Sequence, residues 1–68
     1  MRYSIIDKKL GEKQGFNPEH HRLLGERMVV NENELRKVDR DIEEAARLLG
    51  GVLLTQAEVT NEIKKFRV

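Results

Sequence analysis

Few residues of this chain are of a type that does chemistry, and the pair His20-His21 comes first among them. Imidazole serves as a metal ligand or as a general base near neutral pH. Adjacent side chains point apart on a helix or a strand, so these two cannot easily share one ion. The sequence holds no third histidine and no cysteine, and no aspartate recurs at a ligand-like spacing. The expectation is two ordinary histidines and no metal. A metal or small-molecule site around His20 and His21 would reveal itself by zinc-induced stabilisation.

The carboxylates have other work. Glu34, Glu44 and Glu58 sit where helix caps need them, and Glu43 and Glu62 where helix surfaces do. A catalytic acid pair needs a cleft to hold it, which 68 residues can barely build. Gly11-x-x-x-Gly15 lacks the Lys-Ser/Thr that makes a phosphate loop, and no nucleophile elbow occurs. Neither an enzyme nor a cofactor is expected.

Thirteen basic residues face twelve acidic ones, spread along the chain, and the basic cluster Lys64-Lys65-Phe66-Arg67 suits the negative end of a helix. Phosphate-driven binding would call for a surplus or a stripe of positive charge. With only Tyr3, Phe16 and Phe66 there is no platform for stacking bases, and both phenylalanines are expected in the core. One segment still points toward DNA. Ile42-Glu43-Glu44-Ala45-Ala46-Arg47-Leu48-Leu49-Gly50 resembles the first helix and turn of helix-turn-helix regulators, with Ala46 four residues before the turn glycine. That resemblance implies a recognition helix over Thr55 to Phe66. The spacing departs from it, because such turns take three or four residues and Val52-Leu53-Leu54 is interposed.

Those three aliphatics fit better as a buried strand, and a repeated pattern supports this. Val29-Val30-Asn31-Glu32-Asn33-Glu34-Leu35 and Leu53-Leu54-Thr55-Gln56-Ala57-Glu58-Val59 both read aliphatic pair, cap, two residues, glutamate, aliphatic. Each predicts a capping box with a hydrophobic staple at a strand-to-helix junction. A looser copy opens the chain: strand Tyr3–Ile6, cap Asp7, a helix to Gln14 and Gly15 to close it. Val38, Ile42, Ala45, Ala46 and Leu49 share a helical face, with Asp39 and Asp41 as competing caps and Gly50-Gly51 as the stop. Val59, Ile63 and Phe66 line another. Between residues 17 and 30 two readings remain. Asn17-Pro18 could start a helix through Leu24, or His21–Leu24 and Arg27–Val30 could form a hairpin around Gly25-Glu26.

The elements add up to one small α+β domain over residues 1–68: a three- to four-stranded sheet covered on one face by two to three helices. Its strands are Tyr3–Ile6, Arg27–Val30 and Val52–Leu54, with His21–Leu24 as the extra one. Its helices span about 32–49, with a possible break near Asp39, and 56–66, placing Leu49 and Ile63 on facing helices. No apolar run approaches the ~18 residues of a membrane span, and Met1 to Asp7 is unlike a signal peptide, so a cytoplasmic location is expected. So short a chain gains much from a partner. The expected function is a non-enzymatic protein-interaction module, with a second copy of itself among the candidate partners. The alternative is a DNA-binding accessory protein using 41–67.

Overall fold

The computed structural model describes residues 1–67, the last by its backbone. In chain order they form β1 (Tyr3–Asp7), α1 (Lys8–Lys13), a 3-10 turn (Pro18–His20), β2 (Arg22–Leu24) and β3 (Arg27–Asn31). There follow α2 (Glu32–Arg36), α3 (Ile42–Leu48), β4 (Leu53–Leu54) and α4 (Gln56–Arg67). Among the described residues the strands make one antiparallel sheet in the order β2-β3-β1-β4. The α+β class and the fourth strand are as expected.

Both readings of 17–30 hold in part. Asn17 caps the 3-10 turn, accepting from the Glu19 N–H at 2.9 Å with Pro18 at the first position, but the turn stops at His20. The chain then enters the hairpin, pairing Leu24 with Arg27 across Gly25-Glu26. Gly25 has φ +64° and no described non-glycine residue, Glu26 included, has positive φ, so only the first central position is left-handed. A type II′ turn makes that demand, and glycine meets it without strain.

Pairing register assigns every strand side chain to a face, because partners across a ladder share a side and neighbours along a strand alternate. Ser4 pairs with Val30 and Leu53, and Ile6 with Met28, so these face one way. Three short helices cover that face. Ile6, Met28, Val30, Leu35, Ile42, Ala45, Ala46 and Leu49 pack there with Phe16 in one buried cluster, and Leu53 packs against it. Tyr3, Ile5, Asp7, Arg27, Leu24 and Leu54 face the other way. There α4 crosses alone: Val59 is buried, and Glu62, Lys65 and Phe66 line a cleft with Ile5, Leu24 and Arg27.

Two expectations change accordingly, and the break foreseen near Asp39 is present. The helices lie on both faces of the sheet, so Ile63, half-buried on α4, does not oppose Leu49. The stretch 32–49 is two helices: Asp39 accepts from the Asp41 N–H at 2.9 Å, and Asp41 then caps α3 through Glu43 and Glu44. The rival caps act in series. Phe66 is 56% exposed and is not core, whereas Phe16 is buried.

Candidate functional site

Two places bring polar groups together. The first is the free edge of β4. Gly50, with φ +79°, closes α3, and the Gly51 N–H donates to the Ala46 carbonyl at 2.8 Å. Gly51 then passes so close to β1 that a Cβ there would lie 2.5 Å from the Ile5 carbonyl oxygen and 2.6 Å from Ser4 Oγ. This approach lets the chain drop straight from a helix stop into the ladder. Leu53 and Leu54 pair with Ser4 and Tyr3 and form the strand expected there, while Val52, expected as its first residue, stands outside it and is 65% exposed. The interposed strand keeps α3 and α4 on opposite faces of the sheet, and they do not form a helix-turn-helix pair.

The outer edge of β4 has no neighbouring strand among the described residues. Beside it lies an open groove of about 480 Å³, walled by Arg2 and Arg47 with Glu43 and Glu58, and floored by 51–55. The Thr55 capping box forms its lip: Thr55 Oγ1 accepts from the Glu58 N–H at 3.2 Å and Glu58 Oε1 from the Thr55 N–H at 2.9 Å. Two guanidinium and two carboxylate groups around aliphatic side chains make a mixed surface of no net charge. No histidine lines this groove.

The second place is His21. Its side chain is only 9% exposed and its ring sits 5.8 Å, centroid to centroid, from that of Phe16. Nδ1 lies 2.8 Å from the Asn17 carbonyl oxygen, and Nε2 meets Glu34 Oε2. Burial works against the charged ring, but the Asn17 carbonyl and the Glu34 carboxylate outweigh it and hold the His21 pKa above the ordinary 6.5. Lys37 opposes them weakly. Glu34 also completes the expected capping box of α2, accepting from the Asn31 N–H at 3.2 Å while Asn31 Oδ1 accepts from the Glu34 N–H at 3.0 Å.

The expectation that His21 is an ordinary histidine is therefore corrected. Sequence reading gave Glu34 one role, and the signal that could have found the other, a histidine poised at the end of a turn, is too common to act on. Glu44 likewise pairs with Arg47 rather than closing a box with Asp41. Among the described residues no three histidine, aspartate or glutamate side chains gather as a metal site would require. Among the same residues no helix is long and apolar enough to cross a membrane.

Compared with family models, curated proteins and solved structures, the chain matches none of them.

Proposed function

We propose that this protein is a non-enzymatic interaction module that binds another protein chain through the free edge of β4, and that a second copy of itself is a competent partner. The observation that carries the reading is the open edge itself. Backbone groups on the outer side of an edge strand have no ladder partner, and pairing with another strand satisfies them. Val52, 65% exposed, supplies apolar area at that edge. Arg2 and Arg47 stand with Glu43 and Glu58 around it, so a two-fold axis can set the basic groups of one copy against the acidic groups of the other.

Light scattering on size-exclusion fractions over a range of concentrations tests this. A dimer that Val52→Lys disperses, without loss of secondary structure, supports the reading, because a charged side chain is what blunts a natural edge. A monomer at every concentration removes self-association. Saturable binding to duplex DNA at physiological salt, weakened by Lys64→Ala and by Lys65→Ala, would replace the module with the DNA-binding alternative.

A further inference from the structure

We infer that His21 is a pH-sensitive latch: its doubly protonated ring ties the segment 16–21 to the start of α2, and loss of one proton releases it. The partners of the two ring nitrogens fix the protonation of the ring. A backbone carbonyl can only accept, so Nδ1, 2.8 Å from the Asn17 oxygen, must carry a proton. A carboxylate oxygen also accepts, so Nε2 must carry one to bond Glu34. Neutral imidazole has one N–H and cannot serve both. The geometry therefore selects the imidazolium, and the charge-assisted pair with Glu34 favours it further.

The consequences spread through both partners. Glu34 uses one oxygen for His21 and the other for the Asn31 N–H, so the latch closes onto the cap of α2. Asn17 accepts from His21 with its backbone oxygen and from the Glu19 N–H with its side chain, so the latch also closes onto the 3-10 turn. Phe16, which plugs the edge of the core, lies against the ring between them. When His21 loses a proton, one acceptor loses its donor and a neutral ring faces a carboxylate. The loop carrying Phe16 then loses its hold on α2.

The charged groups around the ring are few. Glu34 and Lys37, on α2 and at its end, act on it in opposite directions. Glu19 and His20 in the 3-10 turn and Arg22 at the start of β2 form no hydrogen bond or ion pair with it among the described residues. The sign follows from the raised folded-state value. Stabilisation by the latch is complete below the unfolded value of 6.5 and is lost as pH rises through the higher folded one. The latch is closed in acid and open in mild base. This inference is independent of the β4 edge.

Histidine ring resonances of the native chain, followed from about pH 5 to pH 9, test it. The His21 midpoint is expected above 6.5. Through that midpoint, amide exchange at Phe16 and His21, whose N–H groups donate to the Gly11 and Pro18 carbonyls, should quicken beyond the base-catalysed rise of unprotected amides. Glu34→Gln keeps the box, since glutamine also serves at the third helical position, but removes the charge. It should lower the midpoint and abolish the pH-linked exchange, while His20→Gln should leave both in place. A native His21 midpoint at or below 6.5 would overturn the latch, as would one that Glu34→Gln does not move.

Discussion

The two strand-to-helix junctions at Asn31 and Thr55 share one local grammar and lead to opposite ends. Both build complete capping boxes, and both place an aliphatic before the cap and another after it. Yet α2, with five residues, buries Leu35 completely, while α4, with twelve, buries only Val59 among the residues whose side chains are described. The difference is one step of register. Val30 precedes its cap and pairs with Ser4, whereas Leu54 precedes its cap and pairs with Tyr3. Ser4 and Tyr3 are neighbours on β1 and project to opposite sides, so each staple pulls its helix to a different face. On one side α2 joins α1 and α3 over a shared core. On the other, α4 lies across the sheet alone, and Phe66 at its end stays largely in water.

The comparison predicts unequal costs for equal-looking truncations. Leu49 is 1% exposed within the dense cluster, so Leu49→Ala leaves a cavity and should cost ~2–5 kcal/mol. A core this small rarely holds more than ~3–5 kcal/mol of net stability, so much of that variant should be unfolded at room temperature. Val59→Ala removes two methyl groups from a thin interface and should cost only about 1.5 kcal/mol. Urea melts of both variants, read with amide dispersion, check the order. Equal costs would mean that α4 belongs to the same core as α3.

A smaller effect separates the boxes themselves. Asn31→Ala and Thr55→Ala each remove an acceptor for a helix N–H, worth about 1 kcal/mol in general. The Asn31 box is partly buried and its glutamate also holds His21, while the Thr55 box is open to solvent. Losing Asn31 should therefore cost toward ~2 kcal/mol and losing Thr55 toward ~0.5 kcal/mol, since water can replace the exposed bond. Melts that rank Thr55→Ala as the costlier would break the comparison.

Much of this fold was legible because it is local. Caps, glycine stops and the Gly25-Glu26 turn act within a few residues, and each appears where Asn17, Asn31, Asp41, Gly50 and Thr55 announce it. The side of the sheet each helix takes was not legible. It depends on whether Val30 and Leu54 meet the same residue of β1 or adjacent ones, which is a contact across more than twenty residues of chain. Phe66 was misplaced for that reason: with one helix on its face, it lies at the hairpin end of the sheet near Leu24, Gly25 and Arg27 and stays 56% exposed. The candidate site divides the same way. The aliphatics of the β4 edge could be read as a strand, but its position as the outermost one could not. His21 meets Glu34 only because the hairpin and the α2 cap come together in space.

Ser4 gives the smallest effect, and of opposite sign. It sits at the centre of the dense face, fully buried, and its hydroxyl has no hydrogen-bond partner among the described residues. A buried hydroxyl without a partner forfeits the hydrogen bonds it made in water, so serine is not there for its oxygen. Size explains it better, because Gly51 passes directly over this position on its way into β4. A side chain no larger than serine lets the two backbones meet. Ser4→Ala should then keep the fold and match or exceed the native stability, by up to ~1 kcal/mol. Ser4→Val, equally apolar but larger, should push against Gly51 and cost ~1–3 kcal/mol, with the loss concentrated in the exchange protection of Leu53 and Leu54. If Ser4→Ala instead destabilised the chain as much as Ser4→Val, the hydroxyl would be holding β4 by a bond of its own. The edge would then owe its place to Ser4 chemistry rather than to the close passage of Gly51.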